Sequence, residues 1–152
     1  MIIMKIEFID DKIILYLKEF FFKEKDNNKI IDEMKEIFIK LIKYHSIEMQ
    51  GYYDVEVFEN KKYGTILEII PEDKLLFHPD LIDIKVNFYK NTCIYLRSRD
   101  YFAFKNYKNI YYDKDYYYID INEVDNILPV IEFVDILYKE KENYLRKKNF
   151  LK

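Results

Sequence analysis

The apolar positions of the first seventy residues change their period twice. Phe8, Ile13, Ile14, Leu15, Tyr16 and Leu17 surround the polar break Asp10-Asp11-Lys12, which predicts a hairpin of residues 3–9 and 12–18. From Ile30 the period becomes helical: Ile30, Met34, Ile37, Phe38, Leu41 and His45 recur at steps of three and four, behind the N-cap candidates Asp26, Asn27 and Asn28. Asp32, Glu33 and Glu36 near the start, with Lys40, Lys43 and His45 near the end, suit the helix dipole. After Gly51 alternation returns, with Tyr53, Val55 and Val57 set between Asp54 and Glu56. Asn60-Lys61-Lys62-Tyr63-Gly64 then turns the chain into a strand that Pro71 stops. Residues 1–70 read β-β-α-β-β.

Prolines at 71 and 79 mark an internal boundary, beyond which Ile82, Ile84, Val86 and Phe88 alternate with Asp83, Lys85 and Asn87. Lys90-Asn91 is expected to fold residues 92–97 back on that strand as a further hairpin. Residues 101–121 read as short aromatic strands with Asp113-Lys114-Asp115 as a turn. Pro129 is expected to open a C-terminal helix carrying Ile131, Val134, Leu137, Tyr138 and Leu145, with Asp135 and Lys139 as an i,i+4 pair. The expected fold class is α+β: antiparallel sheets with a long helix after the first hairpin, further β-hairpins, then a C-terminal helix. Residues 1–152 form one compact domain in this reading, divisible into subdomains 1–70 and 80–152.

Composition adds exclusions. Half of the 152 residues are apolar and 35% are charged, a balance that excludes a disordered chain. The single cysteine, Cys93, cannot form an intramolecular disulfide, and no apolar run approaches the roughly 20 residues of a membrane span. Glu7, Asp10 and Asp11 interrupt the apolar N-terminus before a signal-peptide core can form, so the expected location is the cytoplasm. Ala103 is the sole alanine, Trp is absent, and there are 16 tyrosines. That usage suits an AT-rich genome, so codon bias competes with function as the source of the tyrosines.

Candidate chemistry is sparse. Gly51 and Gly64 are the only glycines, which excludes a P-loop or a Rossmann fingerprint. His45, His78 and Cys93 have no metal-ligand spacing, so neither metal nor cofactor is expected. Cys93 reads as a small hydrophobe, and Asp113 and Asp115 read as turn residues. A metal-dependent nuclease could draw on Asp83 and Lys85, which share one face of their strand, with Asp80, Asp54, Glu56 or Glu36 as further acids. Such a face is more often the solvated side of a sheet.

Two binding readings remain. Tyr107, Tyr111, Tyr112, Tyr116 and Tyr118 suit protein recognition, because tyrosine joins a large apolar body to a polar tip. Mixed with Lys105, Lys108 and Lys114, they also suit stacking of single-stranded nucleic acid. From Lys139 onward the chain carries a net +4 against −7 for the rest, with Arg146, Lys147, Lys148 and Lys152 as a basic patch.

In residues 1–70, the hairpin Ile6-Glu7-Phe8-Ile9 with residues 12–17, the helix 29–44, Gly51 ahead of Val55-Glu56-Val57, and Gly64 ahead of Ile66-Leu67-Glu68-Ile69 follow one another in a telling order. The pattern resembles the N-terminal domain of MecA-type Clp-ATPase adaptor proteins. The resemblance implies target capture by the first half and docking on an unfoldase by the second; no individual functional residue carries over. The leading expectation is a non-enzymatic protein-interaction module, an adaptor or an inhibitor/immunity-like protein, whose partner is another protein. A nucleic-acid binder and a nuclease around Asp83 and Lys85 are the rivals.

Overall fold

The computed structural model describes residues 3–18, 27–49, 51–72 and 82–151, with the backbone alone at Asn27, Ile82 and Asp83. The first half follows the expected order. Strands β1 (Ile3–Ile9) and β2 (Lys12–Leu17) form a hairpin, helix α1 (Asn27–His45) follows, and β3 (Gly51–Asn60) pairs antiparallel with β4 (Gly64–Glu72). Asp10 turns the first hairpin at a φ of 54°. In the second, Asn60 accepts from the backbone N–H groups of Lys62 and Tyr63 and donates to the Thr92 carbonyl. That side chain therefore shapes the turn and ties it to the second half of the chain. Lys43 and His45 sit in the last turn of α1, while its first turn holds no acid and Asp26 lies outside the described residues.

Alternation along the strands splits the first sheet into two faces. Leu15, Leu17, Val55, Val57, Leu67 and Ile69 face α1 and pack on Ile30, Met34, Ile37, Phe38 and Leu41. Phe38 meets Tyr53 edge-on at 5.2 Å. The opposite face gives Ile14, Tyr16, Phe58 and Ile66 to a second core, shared with Ile94, Leu96, Phe104, Ile119 and other residues of the second half.

The hairpin expected from residues 92–97 does not form. Strand β5 (Ile82–Tyr89) instead runs parallel to β3 at the edge of the first sheet, whose order is β1-β2-β4-β3-β5. The end of β4 lies beside the start of β3, with Glu72 opposite Tyr52, and β5 begins at that same end, with Ile82 opposite Gly51. With β4 ending and β5 beginning at the same end of β3, β5 runs parallel to β3. It buries Ile84 against the helix-side core, with Val86 and Phe88 packed beside it.

After β5 the chain crosses into a second antiparallel sheet. It comprises β6 (Tyr95–Ser98), β7 (Tyr111–Tyr112), β8 (Tyr117–Asp120), β9 (Asp135–Leu137) and β10 (Asn149–Phe150), ordered β10-β7-β8-β6-β9. Asp113-Lys114-Asp115 lies between β7 and β8, as the turn chemistry implies. Residues 101–103 form a 3₁₀ turn capped by Asp100 instead of a strand.

The C-terminal helix is absent as well. Residues 131–133 and 144–147 make single 3₁₀ turns, and β9 lies between them. Val134, Ile136 and Tyr138 are buried while Asp135 and Lys139 are exposed, the period of a strand. Val134, Leu137 and Tyr138 satisfy a helical period too, so the local pattern was degenerate. Pairing with β6 decides it: Ile136 lies opposite Leu96, and Asp135 meets Arg97 at 3.1 Å instead of Lys139. No helix among the described residues is long and apolar enough to cross a membrane.

Candidate functional site

The face of the first sheet turned away from α1 carries Glu56 and Phe58 on β3, Glu68 and Ile70 on β4, and Asn87 and Tyr89 on β5. Where residues 90–93 and 138–142 pass over it, a cleft of about 680 Å³ opens, lined by Glu56, Phe58, Glu68, Tyr89, Lys90, Cys93, Tyr138, Lys139, Glu140 and Glu142 among others. Its volume falls within the range of about 300–1,000 Å³ usual for ligand sites. The Tyr95 hydroxyl donates to the Lys141 carbonyl at 2.8 Å and so pins the segment that forms one wall.

One side of the cleft is aromatic. Phe58 and Tyr89, opposite each other on parallel strands, stack with ring centres 4.9 Å apart and planes 12° apart. Tyr138 tilts against the same Phe58 ring at 4.9 Å. Lys139 Nζ lies 5.9 Å from the ring centres of both Phe58 and Tyr138, within reach of their negative faces.

The other side is a carboxylate pair. Glu56 and Glu68 are directly opposite across β3 and β4, where like charges repel. Their partners differ. Glu68 accepts from the Tyr138 hydroxyl at 2.7 Å and meets Lys139 Nζ at 2.9 Å. Glu56 accepts from Asn87 Nδ2 at 3.3 Å through one oxygen, while Oε2 is buried with no partner among the described residues. Burial, then the bond to Glu68, pushes the Tyr138 phenol far above its ordinary range. Hydrogen bonding to Glu56 raises that of Tyr89.

The cleft offers little nucleophilic chemistry. Burial, then the charges of Glu142 and Asp120, push the Cys93 thiol up, away from the reactive thiolate. His45 belongs to α1, on the far side of the first sheet. Among the described residues no group of three or more His, Cys, Asp or Glu side chains is placed to hold a metal ion. Asp83 lies opposite Tyr52 and Lys85 opposite Asp54 along β5 and β3; Asp80 lies outside the described residues.

The tyrosines named from sequence do not form one exposed face. Tyr118 is buried, Tyr107, Tyr111 and Tyr116 are half-buried, and Tyr112 is at the margin of exposure. Tyr107 packs on the core between the sheets, whereas Tyr111, Tyr116 and Tyr118 pack with Tyr95, Tyr144 and Leu145 on the opposite face of the second sheet. Tyr116 lies under Arg97 and Arg99, whose guanidinium carbons are 4.4 and 5.1 Å from its centre.

The basic residues are likewise dispersed. Arg146 and Lys147 are exposed on a 3₁₀ turn, and Lys152 lies outside the described residues. Lys148 is turned inward, 3.3 Å from Asp113 and 4.9 Å above the rings of Tyr118 and Tyr144.

Sequence reasoning named Glu56 and Cys93 but missed Phe58, Glu68, Tyr89 and Tyr138 as a group, and placed Lys139 in a helix. The available signal was an aromatic ring on the polar side of a strand, at Phe58 after Glu56 and at Tyr89 after Asn87. No protein-family model matches this chain, and no curated protein or solved structure shows significant similarity to it.

Proposed function

We propose that the chain acts by binding another protein, as a non-enzymatic interaction module of the adaptor or inhibitor/immunity-like kind, and that the cleft between the sheets is its contact surface. The lining of that cleft carries the reading: stacked aromatic rings beside a pair of carboxylates, with a raised thiol and, among the described lining residues, no imidazole to activate it. Rings and acids of this kind hold a ligand by packing and charge. The nucleic-acid reading has less support, because Lys148 is engaged by Asp113 and two tyrosine rings.

The test uses the full chain as bait, with Tyr89→Ala inside the cleft and Tyr112→Ala outside it. A protein partner held through the cleft should be recovered with wild type and Tyr112→Ala, lost with Tyr89→Ala, and retained at raised salt. Recovery of nucleic acid that dissociates as salt rises would favour the rival reading. A partner indifferent to Tyr89 would remove the cleft from the interface.

A further inference from the structure

We infer that the cleft is an ammonium site, shaped for a lysine side chain of the partner, and that Lys139 occupies it as an internal stand-in. The inference rests on the proposal that the cleft is the contact surface, and it names the chemistry recognised there.

An alkylammonium is held best where an aromatic face and a carboxylate meet away from bulk water. Lys139 already shows the arrangement: its Nζ is 2.9 Å from Glu68 and 5.9 Å from two ring centres. The pair is lopsided, however. The Glu68 side chain is 4% exposed and that of Lys139 is 54% exposed. A half-exposed lysine is readily exchanged with water, since surface ion pairs contribute little. A buried carboxylate needs a cation, whichever one supplies it.

Glu56 supplies the second, independent observation. Its Oε2 is buried and has no partner among the described residues, directly across the strand pair from Glu68. An ammonium has three donors, so one arriving above the Phe58 and Tyr89 rings can bond Glu56 as well as Glu68. Four glutamates and two lysines line the cleft, which leaves an excess of negative charge to attract it. A lysine fits because its apolar stem can lie along an aromatic wall while its head reaches the carboxylates.

The probe is N-acetyl-lysine amide titrated into the full chain, followed by the Asn87 side-chain amide and the backbone amides of Glu56 and Tyr89 in nitrogen-edited NMR spectra. N-acetyl-norleucine amide is the uncharged control and N-acetyl-arginine amide the guanidinium one. The lysine probe should shift those signals and the norleucine probe should not. Lys139→Met removes the competitor and should tighten binding about tenfold, whereas Glu56→Gln should weaken it by a similar factor, the equivalent of about 1.4 kcal/mol. If Lys139→Met loses its native spectrum, Lys139→Gln replaces it.

Equal binding of the norleucine probe would make the cleft an apolar groove and overturn the inference. So would preference for the arginine probe, an unchanged affinity in the Lys139 variant, or indifference to Glu56→Gln. A partner lost with Tyr89→Ala while the lysine probe leaves the spectrum unchanged would sink the ammonium site and leave the binding reading standing. The converse result, a lysine probe that behaves as expected with no cleft-dependent partner, would sustain the site and remove the protein partner.

Discussion

The Tyr138 hydroxyl donates a 2.7 Å hydrogen bond to Glu68 Oε1, and both residues are buried. The bond joins β4 of the first sheet to the segment that leaves β9 of the second, seventy positions away along the chain. It fixes one wall of the cleft against its floor. Because the acceptor is a carboxylate, the bond belongs to the stronger class of hydrogen bond.

Tyr138→Phe should therefore destabilise the fold by about 1.5–3 kcal/mol, the usual contribution of a hydrogen bond to a charged group. A urea titration followed by tyrosine fluorescence measures it, with the slope unchanged and the midpoint lowered. An unmoved midpoint would mean that Lys139 alone satisfies Glu68.

A second prediction concerns acid. Asp113 accepts from the Tyr118 hydroxyl, from the backbone N–H groups of Asp115 and Tyr116 at 3.0 Å, and from Lys148 at 3.3 Å. The Tyr118 bond is the largest of the influences that hold its carboxyl well below the usual range. A depressed native pKa means stability that is fully present above the unfolded value of about 3.9 and lost as pH falls through the native one. Asp113→Asn should thus be less stable than wild type at pH 7, with the gap between their urea midpoints closing as pH drops below about 4. Parallel midpoint curves down to pH 2.5 would contradict this.

Gly64 provides a backbone prediction. Its φ is +114°, and a Cβ placed there would lie 2.2 Å from the Leu17 carbonyl oxygen and 2.6 Å from the Lys18 carbonyl carbon. Both obstacles are main chain, so neither can rotate away. Gly64→Ala should cost more than about 2 kcal/mol through strain and overpacking. Thermal melting should show it as a large drop or as a failure to accumulate folded protein.

What could be read from the residues, and what could not, divides along physical lines. Ile30, Met34, Ile37, Phe38 and Leu41 admit one period, and α1 forms where they place it. The apolar residues from Val134 to Tyr138 admit two, and the pairing of Ile136 with Leu96, forty positions earlier, chose between them. Tyr116-Tyr117-Tyr118 puts rings on both sides of an extended chain, so packing on one face alone would leave a ring in solvent. The second sheet instead packs on both faces, with Tyr117 on one side and Tyr116 and Tyr118 on the other. Glu56 and Glu68 have the alternation of an ordinary solvated strand face. They become the floor of a cleft because residues 138–142 fold over them, which no local pattern encodes.

Glu59 yields the last prediction, and its sign is opposite to that of Asp113. It lies next to Phe58 on β3 but points the other way; it is 1% exposed, and neither carboxylate oxygen has a hydrogen-bond partner among the described residues. Burial raises its carboxyl, with the charge of Lys90 opposing the effect. A native pKa above the unfolded value of about 4.3 means that the folded state holds the proton more tightly. The protonated, folded form is favoured at low pH, and the fold loses stability as pH climbs from there through the raised value. A neutral amide of the same shape avoids the cost of the buried charge. Glu59→Gln should accordingly raise the urea midpoint at pH 7.5, with the gain shrinking toward pH 4, where wild-type Glu59 is itself largely protonated. A variant less stable than wild type at pH 7.5 would show that the Glu59 charge is used in the fold, and the argument from burial would fail.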